Sequence, residues 1–88
     1  MKLILAIVRD SDSDAVSRAL TTASYRVTHI ASTGSFLRRG QSTLLIGLED
    51  DQVQNALAII RNNVTPAPEP GTRRAVMFVL KVDDYIHF

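Results

Sequence analysis

Short apolar runs alternate with segments of helical periodicity in the first third of the chain. Residues 3–8 form an aliphatic run that ends at Arg9, which is typical of a buried strand. The segment 10–14 is rich in residues that cap helices, and apolar residues recur at helical spacing behind it. This pattern predicts a first helix over about residues 13–23.

The same alternation continues through the rest of the chain. Residues 25–33 are rich in β-branched and aromatic side chains and predict a second strand, and residues 42–48 predict a third. Behind an acidic cap at 49–51, apolar residues at i, i+3, i+4 and i+7 predict an amphipathic helix: Val53, Ala56, Leu57 and Ile60. After a loop that contains all three prolines, residues 75–82 predict a last strand.

The predicted order βαββαβ indicates an α+β, ferredoxin-like fold in which two helices cover one face of an antiparallel sheet. We expect one such domain over residues 1–88. The first and last predicted strands are apolar on both faces, although two helices can cover only one. The second face therefore predicts an interface, and another copy of the chain is the most economical partner.

Composition narrows the class of protein further. The 88 residues carry ten basic and nine acidic side chains, and this balance argues against a general nucleic-acid binder. Cysteine is absent, which excludes disulfides and thiolate metal sites. No apolar run approaches the ~20 residues of a membrane span. No cleavage signal follows the first run, so we expect a cytoplasmic protein.

Motifs for catalysis or metal binding are missing from the sequence. Neither His29 nor His87 lies in a recognisable catalytic motif, and there is no nucleophile elbow or zinc-protease pair. Asp10, Asp12 and Asp14 imitate the start of a calcium loop, but the glycine and glutamate that such a loop requires are absent. An acid-enriched helix start is the favoured interpretation, and we expect no enzyme, metal or cofactor.

Three features could contact a ligand. The connection 33–40 combines glycines, two arginines and the apolar pair Phe36 and Leu37, a mixture that suits a base with phosphates nearby. Composition alone favours a hairpin turn whose apolar pair packs in a subunit interface.

Gly47 interrupts a strong strand and marks a bulge or a close approach. Arg26 and Thr28 share a strand face, which is either a pair of converging donors or an ordinary solvated face.

The chain resembles the cyclic di-AMP receptor proteins of the PII-like superfamily in three stretches: MKLILAIVRDSDSD, YRVTHIASTGSFLRRGQSTLLIGLEDDQV and AVMFVLKVDDYIHF. The resemblance implies a ferredoxin-like subunit in a homotrimer whose sheets face inward. It also implies a nucleotide bound in clefts between subunits, and a sensor that regulates a protein partner. By position it implies these ligand contacts: Arg26, Thr28, Gly34, Phe36, Leu37, Gln41 and Gly47.

Some positions depart from the family pattern. Gln41 and Ser24 stand where the family usually has asparagine, Ser35 replaces a glycine, and His87 replaces a common glutamine. The loop at 65–74 is shorter than the insertion of members that bind cyclic di-AMP. Another adenine nucleotide, such as ATP or ADP, and a ligand-free scaffold therefore stay open as alternatives. Four arginines have no assigned role: Arg38, Arg39, Arg73 and Arg74.

Overall fold

A computed structural model describes residues 1–30, 40–65 and 75–83. Its elements follow the predicted order: β1 (Lys2–Arg9), α1 (Asp10–Thr22), β2 (Arg26–Ile30), β3 (Gln41–Leu48), a 3-10 helix (Asp50–Gln52), α2 (Val53–Asn63) and β4 (Ala75–Lys81). The four strands form one sheet in the order β2-β3-β1-β4, and every neighbouring pair is antiparallel. The predicted ferredoxin-like fold is confirmed.

The hydrophobic core lies between one face of the sheet and the two helices. Ile4, Ala6 and Val8 of β1 are fully or almost fully buried, as alternate residues of a strand that faces a core should be. They pack with residues at helical spacing, among them Leu20 of α1 and Ile60 of α2. Burial of each large aliphatic side chain stabilises the fold by about 1.5–3 kcal/mol.

The opposite face of the sheet is also apolar, and neither helix of the described residues covers it. We call it the open face; the register of the strands places on it Leu3, Leu5, Ile7, Arg26, Thr28, Ile30, Thr43, Leu45, Gly47, Val76, Phe78 and Leu80. Phe78 is 50% exposed and Leu80 is 47% exposed. The structure thus confirms that both faces of β1 and β4 are apolar, while the predicted subunit interface stays a prediction.

Helix α1 begins at Asp10, three positions earlier than the sequence pattern predicts. The extended residue Arg9 precedes it, and no side chain caps the helix start. Instead, the backbone N–H of Asp10 donates to the carbonyl oxygen of Gly40 at 2.8 Å. The helix therefore starts where β1 ends, because a long-range backbone bond replaces the local cap that the aspartates suggest.

The end of α1 is a Schellman motif formed without glycine. The N–H of Tyr25 donates to Leu20 O at 3.0 Å, and the N–H of Ser24 donates to Thr21 O at 3.0 Å. Ser24 has φ +73°, the left-handed conformation that glycine or asparagine adopts most easily. A serine in this conformation costs stability.

Candidate functional site

A recess of about 600 Å³ opens at one end of the open face. Eight residues line it: Met1, Lys2, Leu3, Arg26, Thr28, Leu45, Gly47 and Val82. Its volume lies in the range of small-molecule sites. The recess brings together three of the ligand contacts that the resemblance implies, namely Arg26, Thr28 and Gly47.

The register of the strands explains why these three residues meet. Strand β2 is an edge strand whose only partner in the described sheet is β3. In that pairing Arg26 lies opposite Gly47, and Thr28 lies opposite Leu45. Because residues two positions apart point to the same side of a strand, the guanidinium and the hydroxyl both project on the open face. Both side chains are exposed, so their donors are accessible to a ligand.

Gly47 forms part of the floor of the recess. A Cβ atom at this position would lie 3.4 Å from Cε of Met1. The missing side chain therefore leaves the backbone of β3 approachable and also leaves room for the Met1 methyl group. Gly47 does not have a positive φ, so space, and not backbone conformation, accounts for glycine here.

Apolar side chains complete the recess. Leu3 and Val82 are half-buried beside Leu45, and the N–H of Val82 donates to Met1 O at 3.1 Å, which extends the pairing of β1 with β4. Sequence reasoning did not single out these residues or Lys2. Strand alternation alone could have placed Leu45 on the face of Gly47, but Leu3 and Val82 join them only through the registers of β1 and β4.

The described lining of the recess is basic. Among these residues Arg26 and Lys2 are basic and none is acidic. Arg26 lies on the open face, whereas Lys2 alternates with Leu3 on β1 and so points to the other side of the sheet. Within residues 1–30, 40–65 and 75–83, no group of three or more histidine, cysteine or acidic side chains is arranged to hold a metal ion. None of the helices in this part of the chain has the length and apolar character needed to cross a membrane.

Gln41 lies at the other end of the sheet. It precedes Gly47 by six positions on β3 and pairs with Arg9 on β1. At the rise of an antiparallel strand, six positions correspond to about 20 Å. The structure therefore does not bring Gln41 into the recess of the same subunit. The remaining implied contacts, Gly34, Phe36 and Leu37, lie outside the described residues.

One protein family matches most of the chain. The sequence profile of a family described as cyclic-di-AMP receptor matches residues 1–69. The chain belongs to the cyclic-di-AMP receptor family. The matched range includes all seven residues for which the resemblance implies ligand contacts, whereas β4 lies beyond it. Membership places the chain in a family of signal receptors.

A solved structure is similar over nearly the whole chain. It is the crystal structure of a functionally unknown protein from Pediococcus pentosaceus ATCC 25745, which is 32% identical to this chain. The alignment covers 99% of this chain and 96% of the other, with a TM-score of 0.77. The similarity to this structure therefore extends through β4, beyond the range that the family profile matches.

Proposed function

We propose that the chain is a cytoplasmic signal-transduction subunit that binds cyclic di-AMP in a homotrimer and regulates a protein partner. One observation carries the proposal. In a member of the cyclic-di-AMP receptor family, Arg26, Thr28 and Gly47 line one recess on the open face.

The recess offers the two kinds of contact that an adenine nucleotide needs. The guanidinium of Arg26 presents forked donors that match phosphate oxygens, and the hydroxyl of Thr28 adds a donor two positions along the same strand. Leu3, Leu45 and Val82 supply apolar surface for a base. Gly47 lets that base approach the backbone of β3 closely.

The spacing of the implied contacts supports a site shared between subunits. Arg26 and Gly47 lie at one end of the sheet, while Gln41 lies about 20 Å away along β3. The connection 31–39 reaches Gly40, so it joins β3 at the end where Gln41 lies. A nucleotide that touches both groups takes them from two copies of the chain. The uncovered apolar face supplies a surface on which such copies can pack.

Binding would act as a signal through a shift between two states of the trimer. A nucleotide shifts such an equilibrium only by as much as its affinity differs between the states. The regulated protein would then recognise one of the states.

Isothermal titration with cyclic di-AMP, with ATP and ADP as comparators, tests the proposed ligand. Light scattering on the same sample measures the oligomeric state. We expect saturation near one cyclic di-AMP per subunit of a trimer. Saturation with ATP or ADP only would show that the site binds another adenine nucleotide. The short loop at 65–74 is the feature that supports this alternative. A trimer that binds none of the three would be a ligand-free scaffold.

A further inference from the structure

The turn from β1 into α1 contacts Gly40 and Ser42 at the beginning of β3. The N–H of Asp10 donates to Gly40 O at 2.8 Å, and the hydroxyl of Ser42 donates to the Asp10 carboxylate. Gly40 directly follows that connection and has φ +87°, a conformation that suits glycine. Asp10 therefore holds the beginning of β3 through two hydrogen bonds.

The same turn also contacts Thr65, the first residue of the loop at 65–74. The Asp12 carboxylate is 2% exposed and accepts hydrogen bonds from the N–H and the hydroxyl of Thr65, both at 3.3 Å. The guanidinium of Arg9 donates to Thr65 O at 2.5 Å and to Thr65 Oγ1 at 2.7 Å. Its Nε also lies 3.4 Å from Asp12 Oδ2.

These contacts give the acid-rich segment at 10–14 a role beyond an ordinary helix start. A buried carboxylate is stable only while its polar partners stay in place, so the positions of Asp12 and Thr65 depend on each other. Asp10 and Asp12 belong to the first turn of α1, which holds their backbones in a fixed relation. A single helical turn therefore contacts both Gly40 and Thr65.

We propose that residues 9–12 couple the two connections, so that the positions of Gly40 and Thr65 change together. The biological meaning of this coupling rests on the proposed function. The connection 31–39 carries the implied ligand contacts Gly34, Phe36 and Leu37, so nucleotide binding would be reported at Thr65, where the loop at 65–74 begins. Such a coupling is reciprocal, and a change at Thr65 must alter the nucleotide-binding side by the same factor.

Backbone amide hydrogen exchange, followed by NMR, tests the coupling without ligand. Ser42→Ala removes a contact on the Gly40 side only. We expect it to raise the exchange rate of the Thr65 amide by at least about twofold, the lower end of coupling between residues that share partners. In the reverse direction, Thr65→Val should raise the exchange rate of the Asp10 amide.

A matched variant controls for the loss of a hydroxyl. Thr21→Ala removes the hydrogen bond from Thr21 Oγ1 to Ser17 O (2.8 Å) within α1 and should leave both amides unchanged. The amide of Ala6 in the core reports global unfolding, because a merely destabilised variant raises its exchange as well. Unchanged exchange at Thr65 in Ser42→Ala would overturn the coupling.

A second experiment adds cyclic di-AMP. In the unaltered protein the nucleotide should change the exchange rate of the Thr65 amide, and Asp12→Asn should remove this change while the nucleotide still binds. Binding without any change at Thr65 would show that the turn does not report the ligand. If cyclic di-AMP does not bind at all, the proposed function fails, and the ligand-free experiment still decides the coupling.

Discussion

Arg26 lies directly opposite Gly47 in the antiparallel pairing of β2 with β3. The pair therefore places a forked cationic donor beside a strand position that has no side chain. Leu3 lies on the other side of Gly47, so one row across the sheet runs from a charged edge to an apolar centre. Residues of this row line the recess, so the register of the sheet decides which side chains meet there.

Replacing Arg26 tests the charged end of this row. A hydrogen bond to a charged group contributes about 1.5–3 kcal/mol, so Arg26→Ala should weaken cyclic di-AMP binding roughly 10- to 150-fold. Titration calorimetry measures the change. Arg18→Ala removes an exposed arginine from α1, outside the recess, and should leave the affinity unchanged. Equal effects of the two substitutions would remove Arg26 from the site.

Replacing Gly47 should separate binding from stability. Valine suits a strand better than glycine, and among the described residues only the flexible end of Met1 lies near the new Cβ atom, so Gly47→Val should keep or raise the free energy of unfolding. The added side chain would fill the floor of the recess and abolish nucleotide binding. Urea unfolding and calorimetry on the same sample measure both effects. Undiminished binding would show that the ligand does not contact this floor.

The order of the elements could be predicted from sequence because periodicity reports how side chains divide between core and solvent. The run at 3–8 is apolar at every position, and the structure confirms an apolar residue on both faces of β1. The site was less accessible to the same reasoning. Arg26 and Gly47 are distant in sequence and meet only through strand register, which periodicity does not specify; the resemblance, not the pattern, put them together.

Long-range polar contacts explain what the pattern missed. The start of α1 depends on the bond between Asp10 and Gly40, and the burial of Asp12 depends on Thr65, which lies 53 positions away. Local sequence suggested a cap for these aspartates because capping is the commonest role of such residues. An aspartate that accepts hydrogen bonds from a distant threonine cannot be told from a capping aspartate by its local sequence.

Ser24 offers a prediction about stability. Its left-handed conformation costs about 1–2 kcal/mol of stability for a residue that has a side chain. Glycine avoids this cost, but its greater freedom in the unfolded chain offsets part of the gain. Ser24→Gly should therefore raise the free energy of unfolding by about 0.5–1 kcal/mol. Urea unfolding at one fixed protein concentration measures it. Ser17→Gly, inside α1, should instead lower stability by about 0.5 kcal/mol.

The exposed apolar side chains of β4 test the proposed trimer. If the open face packs against another subunit, Phe78→Lys places a charge in a buried interface, which costs several kcal/mol unless the charge is paired. We expect the trimer to dissociate, with the mass measured by light scattering over a range of protein concentrations.

Val79→Lys is the matched control for this strand. Val79 is 44% exposed and points to the opposite side of β4, so the same change in charge and strand propensity should leave the mass of a trimer unchanged. Circular dichroism verifies that both variants keep their secondary structure. A trimer that survives Phe78→Lys would mean that the open face is not the subunit interface. The site shared between subunits would then need a different packing of the three copies.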